Sequence, residues 1–360
     1  MYLRYVSPFP VSPFPAPDFP AGPEKFPLPG SSGSGRMGDE VKALDSQTRM
    51  RHITDEEVQR ALTMPEAIRA VRETYIELST GRALVPARTS LEIPEFRTKA
   101  LVMPAYLPRM KRIGLKLISQ CEDNPSKGLP MGQAVAILMD AEFGTPLAVM
   151  NAAHLTAVRT GAASGAATDI LARADARVVA IFGAGVQGKT QLEAVAAVRP
   201  IRKALVFDVD PRAAAAFAKE MGPKLALDVE PASSPGALRE ADVVCTATTS
   251  AVPVFADRDL KPGVHINAVG SYKPHDREIP GETIRRARVY VDQRQASLEE
   301  AGDLIIPLRE KLIDEDHILA EIGEVLAGLK PGRRSDDEIT VFKAVGNAAL
   351  DLAMASLVFG

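Results

Sequence analysis

The chain has 360 residues, long enough for two domains, and 46% of them are hydrophobic against 25% charged, a balance that excludes a fibrous or wholly disordered protein. Its 43 basic and 46 acidic residues are interspersed, with a net charge of −3 and no basic stripe, which argues against a nucleic-acid or anionic-membrane partner. No apolar run reaches the roughly 18 residues of a membrane span.

Nine of the 28 prolines lie in residues 1–30, and a Gly/Ser stretch follows at 31–36. Proline at every second or third position blocks helix, so residues 1–49 are expected to be a disordered extension. They lack the continuous apolar segment of a secretory leader. Two further readings stay open: a ligand for a proline-recognising domain, or sequence upstream of a start at Met37 or Met50.

Thr54-Asp55-Glu56-Glu57 has the form of a capping box, and Thr63-Met64-Pro65-Glu66 repeats it with proline just inside. The second opens an amphipathic helix with Ile68, Val71, Tyr75, Ile76 and Leu78 near one face and Gly81 at its close. Alternating or β-branched apolar stretches then predict strands over 85–93, 100–103, 114–119, 132–139 and 145–150. Residues 154–174 predict a helix of small residues. From Ala176 onward strands (178–182, 204–208, 225–229, 243–246, 264–269, 289–291) alternate with helices (186–198, 211–221, 236–241), the pattern of a doubly wound parallel sheet. Residues 339–357 read as one closing helix. Cys121 and Cys245 are far apart and form neither a metal-ligand spacing nor a disulfide framework, which fits a reducing cytoplasm and no metal.

The strongest motif is Gly183-Ala184-Gly185-Val186-Gln187-Gly188, which follows an apolar strand and opens a helix. In such a loop the first glycine makes the tight turn. The second lets backbone approach a pyrophosphate, and the third lets helix and strand pack closely. Asp208 ends the next strand, where an acidic side chain accepts hydrogen bonds from the adenosine ribose. Asp208 and Asp210 would repel a 2′-phosphate, so NAD(H) is favoured; Arg212 keeps NADP(H) open. A nucleotide domain in mid-chain, after an α+β domain, points to an oxidoreductase whose substrate lies beside the nicotinamide.

Seven segments in order carry a resemblance: VPART (85–89), ALVMPAYLP (100–108), GLKLIS (114–119), LTAVRTGAASGAAT (155–168), GAGVQG (183–188), HINAVGSYKP (265–274) and TVFKAVGNAALDLA (340–353). From about Met50 to Phe359 the chain resembles the ornithine cyclodeaminase/μ-crystallin family, which includes archaeal-type alanine dehydrogenases and ketimine reductases. The resemblance implies a Rossmann-type doubly wound parallel sheet over 154–325. It further implies an α+β substrate-binding and dimerisation domain over 50–153 and 326–360, completed by the C-terminal helix. It implies that Arg88 and Lys116 bind the substrate α-carboxylate, that Arg159 and Thr160 meet the cofactor phosphate with Arg159 also near substrate, and that Val186, Gln187, Asp208, Thr246, Val269 and Gly270 make further cofactor contacts. From the residues alone, Arg88 also reads as a solvated sheet residue and Lys116 as a snorkelling strand lysine. An arginine inside the apolar helix of Arg159 needs an anionic partner, from substrate or from the chain itself. His154 and His265 match no recurring catalytic position.

One departure bears on the reaction. Where ornithine cyclodeaminases carry an aspartate that acts on the substrate amine, this chain has Tyr272, which is neutral at pH 7 and a poor base. Met131 likewise stands where the cyclodeaminase pattern has threonine. The resemblance with this departure implies an NAD(P)H-dependent oxidoreductase that reduces a small imino acid, such as the cyclic ketimine Δ1-pyrroline-2-carboxylate, by hydride transfer to C2. Water, Lys116 or Tyr272 would supply the proton. Alanine dehydrogenase, ornithine cyclodeaminase (ornithine to proline plus ammonia) and a cofactor-dependent binding protein like μ-crystallin are the alternatives. A homodimer is expected.

Overall fold

A computed structural model describes residues 50–232 and 234–360, so the expected extension over 1–49 lies outside the described residues. In chain order the first elements are β1 (Arg51–Ile53), α1 (Asp55–Ala61), α2 (Met64–Ser79), β2 (Thr89–Ile93), β3 (Thr98–Leu107), β4 (Arg112–Cys121), β5 (Gly132–Asp140), β6 (Pro146–Asn151) and α3 (Ala153–Leu171). The capping box at Thr54 forms in both directions. At Thr63 the hydroxyl donates instead to the Glu66 carboxylate, 2.6 Å away, and makes no backbone cap.

The six strands form one sheet in the order β1-β6-β5-β4-β3-β2, antiparallel except for β1 beside β6. Alternation in β3 buries Leu101, Met103, Ala105 and Leu107 on one face. The sequence predicted this strand to stop at Met103, before Pro104. It continues because Pro104 falls between the last β2 pair, Thr89 with Val102, and the lone bridge of Leu84 to Tyr106, so no ladder bond is lost there.

The second half adds β7 (Val178–Phe182), α4 (Val186–Val198), β8 (Lys203–Phe207), α5 (Pro211–Leu225), β9 (Asp228–Pro231), β10 (Val243–Thr246), β11 (His265–Ala268), α6 (Gly281–Arg286), β12 (Arg288–Val291), α7 (Arg294–Glu300), α8 (Gly302–Arg309), β13 (Ile318–Glu321), α9 (Ile322–Leu326), β14 (Thr340–Lys343) and α10 (Ala348–Phe359). Eight of these strands make a parallel sheet in the order β13-β12-β14-β11-β10-β7-β8-β9. The order turns back between β7 and β10, which places the crevice for a ligand at the carboxyl ends of those strands. The helix expected over 236–241 is a single 3₁₀ segment, Pro235–Glu240.

The closing helix expected over 339–357 is two elements. Thr340-Val341-Phe342-Lys343 is a buried strand between β11 and β12. Gly346, at φ +86°, then turns the chain, and the Asn347 side chain caps α10 by accepting from Ala349 N at 2.8 Å. β-Branched and aromatic residues followed by Gly-Asn favour a strand and a turn over continuous helix. So within 326–360, β14 belongs to the second sheet, and α10 returns to cover β3, β4 and β5 of the first. Helix α3 packs closely on α4: a Cβ on Gly161 would lie 2.5 Å from the Thr190 carbonyl oxygen. No described helix is long and apolar enough to cross a membrane.

Candidate active site

The glycine loop joins β7 to α4, with Gly185 at the N-cap. Gly183 has φ +100°, and a Cβ there would meet the Ala247 carbonyl oxygen at 2.6 Å. A Cβ on Gly188 would stand 2.0 Å from the Gly183 carbonyl oxygen. Gly185 differs from both, for nothing lies within 4 Å of its Cβ position. That position opens at the N-terminus of a 13-residue helix, where free N–H groups and the helix dipole favour an anion. Val186 is exposed beside it, and the buried Oε1 of Gln187 has no hydrogen-bond partner. These features fit a dinucleotide.

Asp208, just past β8, accepts from Ala184 N at 2.7 Å and from Asp210 N at 2.9 Å. Its carboxylate thereby ties the glycine loop to the next strand. Asp210 caps α5 and pairs with Arg212 at 3.2 Å. The one cation that kept a 2′-phosphate open is thus already next to a carboxylate.

Thr246, Val269 and Gly270 converge at the ends of β10 and β11, where the Val269 and Gly270 amides both donate to the Thr246 carbonyl. Beneath them lies Glu278, which the sequence did not single out. Its carboxylate accepts from the Thr246 hydroxyl (2.9 Å), Thr248 N and Oγ1 (both 2.7 Å), Gly270 N (2.9 Å) and Ser271 N (3.1 Å). Burial, and then the Asp303 charge, push its proton affinity up. Asp303 accepts the Glu278 and Ile279 amides at 2.7 and 3.0 Å and pairs with Lys343 at 2.8 Å. Lys343 also donates to the Ser271 carbonyl. The loop carrying Tyr272 therefore rests on three buried charged residues. A lysine inside the apolar run Ile339–Val345 was the available signal.

Three expected cations come together from distant parts of the chain. Lys116 on the inner face of β4 is 2.7 Å from Asp351 on α10, and Arg159 on α3 is 3.1 Å from the other oxygen of the same carboxylate. All three are buried, at 3%, 9% and 2% exposure for Lys116, Arg159 and Asp351. Burial lowers the Lys116 pKa to about 8, although Asp351 pulls the other way. Asp351 was within a matched segment, but nothing in the sequence gave it a role. The Arg159 guanidinium lies against Gly346, where a Cβ would be 2.8 Å from Nη1. Arg88 donates to the Gly346 carbonyl at 3.2 Å and pairs with Glu300 at 2.7 Å. Asp292 fixes this turn by accepting from Val345 N and Gly346 N at 3.0 and 2.8 Å.

Arg88 opens onto a cavity of about 900 Å³ that is also lined by Leu101, Gln120, Met131, Tyr272 and Glu300. The Tyr272 hydroxyl donates to Gln120 Oε1 at 3.2 Å across its wall. Thr160 does not reach this space by its hydroxyl, which bonds back to the Thr156 carbonyl at 2.8 Å. His265 is buried between Thr340 and Asn267, and its pKa is pushed down to about 3 by burial, so it is a neutral core residue. His154 is half-buried on the first turn of α3. His275 stands exposed at the cavity rim.

The model of the ornithine cyclodeaminase/mu-crystallin family matches residues 48–360. This chain belongs to that family. It is 38% identical over 309 residues to a Δ1-pyrroline-2-carboxylate reductase of Bacillus cereus, covering 85% of this chain and 95% of that protein. Among solved structures it is similar to the Thermococcus litoralis Δ1-pyrroline-2-carboxylate reductase in complex with NADH and L-proline, with a TM-score of 0.83, 41% identity and 86% and 96% of the two chains covered. It is also similar to an archaeal alanine dehydrogenase dimer with bound NAD, with a TM-score of 0.81, 36% identity and 86% and 95% covered.

Proposed function

We propose that this chain reduces small cyclic ketimine carboxylates, Δ1-pyrroline-2-carboxylate first among them, with NADH. It is an oxidoreductase acting on a carbon–nitrogen bond. The observation that carries the substrate reading is the meeting of Arg88, Lys116 and Arg159 around the Gly346 turn, beside a cavity where Tyr272 stands at the position that carries aspartate in the cyclodeaminase pattern. The fold and the similar enzymes support it.

Three cations against Asp351 and Glu300 leave one positive charge, which matches a monoanionic substrate. Arg88 is the cation that faces the cavity, so it takes the substrate carboxylate directly. Lys116 and Arg159 add their field from behind Asp351 and hold that carboxylate where C2 is presented. Leu101 and Met131 give the ring carbons an apolar wall, and the Tyr272–Gln120 bond closes one side against water. Both side chains expected to carry a proton are engaged: Lys116 with Asp351 and Tyr272 with Gln120. We therefore assign Lys116 to the carboxylate and Tyr272 to orientation of the ring.

Gly183, Gly185, Val186, Gln187 and Gly188 would hold the pyrophosphate, Asp208 the ribose, and Arg159, Thr160, Thr246, Val269 and Gly270 the remainder of NADH, which supplies the hydride. We read residues 50–153 with α10 as the substrate-binding part. Leu91 and Leu117 are exposed apolar residues of the first sheet, and they suit burial in a homodimer. The free cysteines Cys121 and Cys245 suit a reducing cytoplasm.

The test is turnover of NADH by the purified protein with Δ1-pyrroline-2-carboxylate, with pyruvate plus ammonia, and with ornithine plus NAD⁺. Proline formation from the imine, well ahead of alanine from pyruvate and with no ammonia from ornithine, is expected. Preference for pyruvate would make it an alanine dehydrogenase.

A further inference from the structure

We propose that Glu300 delivers the proton to the substrate nitrogen, and that it acquires that proton when the incoming carboxylate displaces it from Arg88. The inference rests on the reading of Arg88 given above. Glu300 ends α7 and sits at a partition: with Arg88 it lines both the large cavity and a second one of about 230 Å³ beside Gly346. Its contact with Arg88, at 2.7 Å, occupies the Nη2 that also donates to the Gly346 carbonyl. A substrate carboxylate that takes Arg88 must meet Glu300 at the same guanidinium.

The surroundings decide what happens then. The charged groups facing Glu300 are Arg88 and Lys99, which favour its anion, and Asp292 and Glu299, which oppose it. Burial opposes the anion more than any of these, and the pKa is raised even with Arg88 in place. Loss of the Arg88 contact, or a second carboxylate within about 4–6 Å, drives proton uptake. In the substrate the nitrogen is bonded to the carbon that bears the carboxylate. With that carboxylate on Arg88, the proposed orientation is the one that turns the nitrogen, and not C3, toward Glu300.

The step balances. The hydride, with its electron pair, forms the new C2–H bond as NADH is oxidised. The π pair of the C=N bond moves to nitrogen and takes the proton from the Glu300 carboxylic acid, leaving a secondary amine and a carboxylate. That carboxylate recovers Arg88 as the product leaves. In the reverse direction Glu300 is the base that removes the amine proton.

The direct test is proton uptake on binding of a planar inert analogue, pyrrole-2-carboxylate, to the NADH-loaded full chain at neutral pH, where Lys116 already carries its proton. Calorimetry in buffers of different ionisation enthalpy reads the uptake. Wild type is expected to take up close to one proton per site. Glu300→Gln should bind the analogue at least as tightly and take up none. Its kcat should fall about 100-fold or more, with a flatter decline of kcat above neutrality, and Glu300→Asp should recover part of the loss. Binding to wild type without proton uptake, or an unchanged kcat and pH profile in Glu300→Gln, overturns the role of Glu300 alone. Failure of wild type both to bind the analogue and to reduce the imine overturns the substrate reading with it.

Discussion

The two halves of the candidate site are built in opposite ways. The glycine loop proposed for the cofactor is six consecutive residues that act through backbone, with Gly185 open to solvent and Gly188 so close-packed that a Cβ there would stand 2.0 Å from a neighbouring carbonyl oxygen. The proposed substrate side is assembled from side chains at 88, 116, 159, 300 and 351, drawn from the segment before β2, from β4 and from helices α3, α7 and α10. Local backbone sites tolerate no side chain at chosen points. Assembled side-chain sites tolerate no loss of a charge partner.

The largest effect should follow from breaking the assembled side. Asp351→Asn leaves Lys116 and Arg159 buried without their shared anion, a loss of about 3–5 kcal/mol. Denaturant unfolding measures it, and a change below about 1 kcal/mol would mean that the cluster relaxes freely. Next comes Lys116→Ala, which should lower kcat/KM for the imine about 100-fold while leaving the NADH dissociation constant unchanged. Steady-state kinetics beside an NADH titration separates the two.

The cofactor side sharpens the contrast through two glycines of one loop. Gly185→Ala should keep its melting temperature and weaken NADH about 10-fold, since its Cβ meets only open space, the space proposed for the pyrophosphate. Gly188→Ala should instead lose stability, because its Cβ collides with backbone. Equal behaviour of the two variants in thermal melts and NADH titrations would remove the distinction.

The smallest effect is a pH dependence. Burial holds Lys116 at about 8, below its usual 10.5. Between those values the folded protein has lost a proton that the unfolded chain keeps, so the Lys116 contribution to stability rises with pH. Substrate capture moves the other way: kcat/KM should fall a few-fold above about pH 8 as the charge is lost.

The same contrast explains what could be read from the sequence. The glycine loop and Asp208 could be nominated from the sequence because the chemistry proposed for them is a spacing along the chain. Arg88, Lys116 and Arg159 were found through the family resemblance, since their meeting depends on sheet register and on α10. Asp351, Glu278, Asp303 and Glu300 went unassigned, because a buried carboxylate looks like a surface one until its partners are placed. Residues 339–357 misled for a related reason: an apolar run reads equally as buried helix or strand, and only Gly346-Asn347 marked the break.

The central claim is that this cluster of cations presents an imino acid for reduction. It is tested most directly by following NADH consumption and proline formation together, with Δ1-pyrroline-2-carboxylate as substrate and ornithine as control. One proline formed per NADH consumed, with no ammonia released from ornithine, is the predicted result. Robust conversion of ornithine to proline and ammonia would contradict it and restore the cyclodeaminase reaction despite Tyr272.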